Sequence, residues 1–160
     1  MKKLKFNLAA LLCLCALLTA TTFTSCNKDD DVSTNPKDLI GKWKLVEEKE
    51  EWKDSDGEKG SETDKYDNDE EMWETWTFKE DGTLIVEWFE KFKDSKIHTD
   101  TYNYQTDKNK LSGGFLSDDS DTAFTNPVFS ISGNTLTITC EYKEDGDWEK
   151  ETYIFKKVNN

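Results

Sequence analysis

From about residue 41 to residue 157 the chain alternates apolar and polar side chains with a period of two. Trp43 and Leu45 alternate with Lys42 and Lys44, and Trp76 and Phe78 with Thr75 and Thr77. Leu84, Val86, Trp88 and Phe92 share one face of the next run, with Thr83, Glu87, Lys91 and Lys93 opposite. Ile85 and Phe89 make that run partly apolar on both faces. Leu136, Ile138, Cys140 and Tyr142 alternate with Thr135, Thr137, Thr139 and Glu141; Tyr102 with Tyr104, Phe129 with Ile131, and Tyr153 with Phe155 are shorter instances. Such alternation turns one face to a core and the other to water. Asp81-Gly82, Ser132-Gly133-Asn134 and Asp145-Gly146 separate the runs, and glycine there supplies the positive φ of tight hairpins. The pattern predicts about eight antiparallel strands joined largely as a meander. Lys37 to Ile40 has room for one helical turn. Residues 54–71, with nine acids and two lysines, and residues 107–126, with Ser112-Gly113-Gly114 and Asp118-Asp119-Ser120-Asp121, lack the pattern and read as long solvated loops.

Composition supports an all-β body. After position 26 there is one alanine, Ala123, against fourteen threonines. Alanine favours helices and threonine favours strands. The 135 residues from Cys26 onward hold 39 apolar side chains, 18 of them aromatic, so a few large groups must build the core of one small domain.

The first residues follow a different pattern. Met1-Lys2-Lys3-Leu4-Lys5 is basic, and Phe6 to Leu18 is apolar apart from Asn7. That run is too short for a spanning helix and suits a secretory signal. Phe23-Thr24-Ser25-Cys26 resembles a bacterial lipobox, with Phe23 in the place of the usual leucine. The resemblance implies a cleaved lipoprotein signal peptide over 1–25 and a diacylglyceryl thioether with an N-acyl chain, palmitate among such acids, on Cys26. Several chains anchor a protein stably where one does not. The acidic Asp29-Asp30-Asp31 run resembles the surface-export signal of some Gram-negative outer-membrane lipoproteins; the other reading is a solvated linker. An outer-membrane lipoprotein is therefore expected, with the cell surface favoured over the periplasmic face. Residues 26–36 read as a polar tether and 37–158 as the folded domain. Cys13 and Cys15 leave with the signal, so Cys140 is the one remaining thiol and no internal disulfide forms; it reads as a small buried hydrophobe.

Charge and residue inventory narrow the chemistry. The chain carries 21 lysines, no arginine, 34 acids and one histidine. Without residues 1–25 the net charge is 18 − 34 = −16. Such a surface repels nucleic-acid phosphate and anionic lipid, and no nucleic-acid partner is expected. One histidine leaves too few bases or ligands for triad or metal catalysis, so no enzyme, cofactor or metal site is expected. His98 reads as an exposed strand residue. Asp54-Ser55-Asp56-Gly57-Glu58 opens like a calcium loop, but its twelfth position is Lys65 rather than a glutamate.

Ile40-Gly41-Lys42-Trp43 resembles the Gly-x-Trp signature that opens lipocalin-like barrels. Trp76-Thr77-Phe78-Lys79-Glu80-Asp81-Gly82-Thr83-Leu84, Ile131 to Ile138 and the closing Tyr153-Ile154-Phe155-Lys156-Lys157 resemble pieces of the lipocalin-like domains of exported bacterial lipoproteins. The likeness spans about residues 38–158. It implies a small antiparallel up-and-down barrel, closed on itself so that no sheet edge is exposed. Gly41 would admit the turn into the first strand and Trp43 would plug the closed end. Lipocalins often stack an arginine on that tryptophan; here only Lys156 or Lys157 can supply the cation. A barrel of eight strands is either filled or holds one small ligand. The many large aromatics favour a filled or shallow interior, and Trp88, Tyr102, Tyr104 and Trp148 are the candidate walls of any cavity. Two functions stand: a membrane-anchored, monomeric lipoprotein that binds a small apolar or amphipathic molecule, or a non-catalytic structural or accessory subunit of an outer-membrane assembly with a filled barrel and a protein partner. A hydrolase ranks last, for want of a nucleophile-base pair.

Overall fold

In a computed structural model the described residues are 32–66, 70–114 and 125–159. The expected signal segment, Cys26 and most of the tether lie outside them.

The predicted meander is present and closes. Its strands are β2 (Gly41–Lys53), β4 (Met72–Phe78), β5 (Thr83–Glu90), β6 (Ile97–Asp107), β7 (Lys110–Gly113), β8 (Thr125–Ser132), β9 (Thr135–Glu144) and β10 (Asp147–Lys157). Each pairs antiparallel with the next, and β10 returns to β2, giving an eight-stranded up-and-down barrel. The architecture is consistent with the lipocalin-like fold that the resemblance implies. Closure satisfies the backbone groups that an open sheet would leave at its edges. The Asp-Gly turns form as expected, with Gly82 at φ 82° and Gly146 at φ 98°.

The structure differs from the expected pattern at four places. Residues 54–71 are not one loop: β3 (Lys59–Lys65) pairs with the second half of β2. Polar side chains stand on both of its faces, so no hydrophobic alternation marked it, and backbone pairing alone defines it. Residues 107–126 likewise contain β7 and the start of β8, with Leu111 buried. Phe92 does not share the inward face of β5. The strand ends at Glu90 and the chain turns over 91–95, with Lys93 N–H donating to the Glu90 carbonyl, so Phe92 is exposed. Ordered pairing also begins ahead of residue 37. β1 (Val32–Ser33) adds to β8, and α1 (Pro36–Leu39) is the expected helical turn, capped by the Asn35 side chain accepting from Lys37 N–H.

Packing is concentrated at one end. Leu39, Trp43, Phe78, Leu84, Phe129, Leu136 and Phe155 are fully buried there, and Ile138 and Cys140 continue the buried stripe along β9 to the level of Tyr153 and Glu151. Trp43 donates its indole N–H to the Leu39 carbonyl at 2.8 Å, which ties α1 to the packed end of the barrel. Lys157 Nζ lies 5.0 Å from the Trp43 ring, the cation that the missing arginine left open. Lys156 instead donates to Thr135 Oγ1. Gly41, at φ 134°, passes close to Lys157: a Cβ there would stand 3.5 Å from its Cε.

Candidate functional site

A β-bulge decides what the other end of the barrel presents. Phe155 pairs with Leu45, but Ile154 pairs with Glu47, so the register skips Val46. One extra residue reverses which side chains point inward. Before the bulge β2 sends Trp43 and Leu45 inside; beyond it the inward positions are Glu48, Glu50 and Trp52. Their partners on β10 are Tyr153, Glu151 and Glu149, and on β3 they are Asp64, Glu62 and Gly60. The Trp52 ring lies directly over Gly60, where any Cβ would come within 2.1 Å of it. The inner face of β3–β2–β10 is thus an acidic apron continuous with the barrel mouth.

Between that apron and the β4–β5–β6 wall lies a cavity of about 470 Å³. The buried side chains of Leu45, Trp76 and Val86 close its base, and Tyr66, Trp88, Tyr102 and Tyr153 stand around it. Glu48, Glu74, Glu90 and Asp100 also line it, with Met72 near the rim. Indole and phenol groups orient the carboxylates. Tyr66 donates to Glu48 Oε2 at 2.8 Å, Trp76 Nε1 donates to Glu74, and Trp88 Nε1 to Asp100 Oδ2 at 3.3 Å. Tyr153 donates to Glu151.

Burial raises the Glu74 carboxyl above its ordinary value; the Trp76 N–H acts in the opposite direction and Glu48 adds to the rise. Glu151 is raised in the same way, by burial first and by Glu48, Glu149 and Glu50 as well, against the lowering effect of the Tyr153 hydroxyl. Burial and the neighbouring glutamates keep the Tyr66 and Tyr153 phenols protonated. Among the described residues no lysine pairs with Glu48, Glu74 or Asp100. The ion pairs Lys42–Glu87, Lys49–Glu47, Lys143–Glu141 and Lys150–Glu51 all fall on the outward side by strand alternation.

Of the four candidate wall residues, Trp88 and Tyr102 line the cavity. Tyr104 does not: it belongs to the packed end, edge-on to Phe78, with its hydroxyl on the Lys79 carbonyl at 2.7 Å. Trp148 does not either. Phe155 and Tyr153 point inward, so every even position of β10, Trp148 included, faces outward. Gly41 and Trp43 lie in the packed end. Nothing in the sequence marks Tyr66, Trp76, Tyr153 or the carboxylates as cavity residues. The acids are too numerous for any to stand apart, and Tyr66 falls in a stretch whose composition reads as a loop. His98 stacks on Trp88 with ring centroids 4.0 Å apart and reaches Asp94 at 2.8 Å, at the rim rather than in open solvent. Among the described residues no group of three or more His, Cys, Asp and Glu side chains is arranged to hold a metal ion.

Fold and site together define a small up-and-down β-barrel plugged at one end and open as an aromatic, acid-lined cup at the other. No protein-family model matches the chain, and no curated protein matches it.

Proposed function

We propose that this protein is an exported lipoprotein, anchored to the outer membrane through acyl chains on Cys26 and facing the cell surface, that binds a small amphipathic molecule in the barrel cup. The observation that carries the binding reading is the division of the interior. One half is filled by fully buried side chains around Trp43, with a hollow of about 530 Å³ between α1 and Tyr104 at that end, while the other half holds a cavity of about 470 Å³ walled by aromatic rings. Ligand pockets are of this size, with apolar walls and a few oriented polar groups. The lipobox-like Phe23-Thr24-Ser25-Cys26 supports the anchor. Binding is tested by titrating the full chain with an apolar fluorescent probe. Quenching of tryptophan emission, reversed by a lipid extract, is expected; no quenching overturns the reading. Metabolic acyl labelling that survives Cys26→Ala overturns the anchor.

A second reading, an accessory subunit of an outer-membrane assembly, is favoured by one observation. Phe92, Ile97 and Met72 expose apolar surface around the same rim. Loss of a co-purifying protein on Phe92→Ser with Ile97→Ser, with probe binding intact, would select it.

A further inference from the structure

The cup segregates charge in a way that a neutral ligand does not require. Lys42, Lys49 and Lys150 stand on the outward face, paired with Glu87, Glu47 and Glu51, while beyond the bulge the inward face of β2 and β10 carries carboxylates. Across β3, β2 and β10 the carboxylates stand directly opposite one another: Glu62, Glu50 and Glu151 form one row, and Asp64 faces Glu48 in the next. Like charges in such positions destabilise a sheet. Glu48 and Glu74 line the cavity, and among the described residues no lysine pairs with either; burial raises the Glu74 carboxyl. The aromatic wall already holds one ammonium: Lys93 Nζ lies 4.7 Å from the Trp88 ring centre at the rim. Deeper in the cup, Tyr66, Trp76, Tyr102 and Tyr153 offer further ring surface.

We infer that the cup binds an organic cation, an ammonium carried on an apolar body, with aromatic rings against its body and the inward carboxylates facing its charge. This rests on the reading of the cup as a ligand site. Cation–π contact and unscreened carboxylates both strengthen as a site is desolvated. Such a ligand supplies a countercharge to Glu48 and Glu74, whereas a fatty acid or other anion would add to the repulsion.

The test titrates the full chain with benzyltrimethylammonium and with neopentylbenzene, its neutral carbon isostere, following tryptophan emission. The cation is expected to bind about tenfold tighter, the ratio that about 1.4 kcal/mol of charge recognition produces. Glu74→Gln and Glu48→Gln keep the acceptors for Trp76 and Tyr66 and are each expected to weaken cation binding several-fold, with neopentylbenzene unchanged. Glu51→Gln, on the outward face, is expected to change neither, and far-UV circular dichroism checks that each variant is folded. Equal or tighter binding of the neutral isostere overturns the cation inference and leaves the cup reading standing. Binding of neither probe overturns both.

Discussion

Glu50 lies between two carboxylates, Glu62 on β3 and Glu151 on β10, at directly opposed register positions. Glu50→Lys converts two like-charge cross-strand pairs into two opposite-charge pairs. Each such pair changes sheet stability by about 0.2–1 kcal/mol. Lost repulsion and gained attraction both count at each of the two pairs, about 0.8–4 kcal/mol together, and partial exposure and screening leave a net gain of about 1–2 kcal/mol at low salt. For a domain of this size that raises Tm by about 3–8 °C. The assay is thermal unfolding by circular dichroism at about 0.02 M and about 0.5 M NaCl, where the Debye length falls from well over 10 Å to a few Å. The gain is expected to shrink at high salt, because salt relieves the repulsion in the wild type. The control is Glu51→Lys, the same charge change one residue away. Glu51 faces outward opposite Lys150, with its carboxylate 3.5 Å from Lys150 Nζ, so there the substitution removes an attraction and is expected to leave Tm unchanged or lower. If both variants stabilise equally, the effect is net charge alone and the inward acidic row has no energetic meaning. If Glu50→Lys lowers Tm at low salt, the assigned register is wrong.

Trp43→Phe removes the bond to the Leu39 carbonyl and leaves a void in the packed end; a loss of about 2–4 kcal/mol is expected, read as a lower denaturation midpoint with an unchanged m-value. Lys157→Met, which removes only the cation over the Trp43 ring, is expected to cost no more than about 1 kcal/mol by the same measurement. Burial lifts the Glu151 carboxyl above its ordinary value of 4.5, so the native state holds that proton more tightly than the unfolded chain. Its contribution to stability therefore falls as pH rises from about 4.5 through the raised native value, and Glu151→Gln is expected to flatten the stability profile in that window. The Cys140 thiol is buried and raised to about 12, so a thiol reagent at neutral pH is expected to react with it only after unfolding, and rapid labelling of the native protein would contradict its placement.

The residues themselves determined the barrel. A period of two in apolar side chains, Asp-Gly turns between the runs and a few large aromatics leave one economical way to bury the apolar faces, a meander that closes. Trp43 is legible as core because Lys42 and Lys44 flank it while Leu45 shares its face. The cup was not legible, because its identity depends on a single residue. Read with uninterrupted alternation from Trp43, β2 would turn Glu47, Lys49 and Glu51 inward. The bulge at Val46 turns Glu48, Glu50 and Trp52 inward instead and places the lysine outside. Nothing local marks that bulge: it arises because β2 pairs with β4 along its first half and β3 along its second while holding β10 throughout. Trp148 stands outside by plain alternation from Tyr153 and Phe155, while the pairing of β6 with β5 and β7 puts Tyr104 in the packed end. Side-chain chemistry dictated which strands form; only the pairing of distant strands decided which of their faces encloses the cavity.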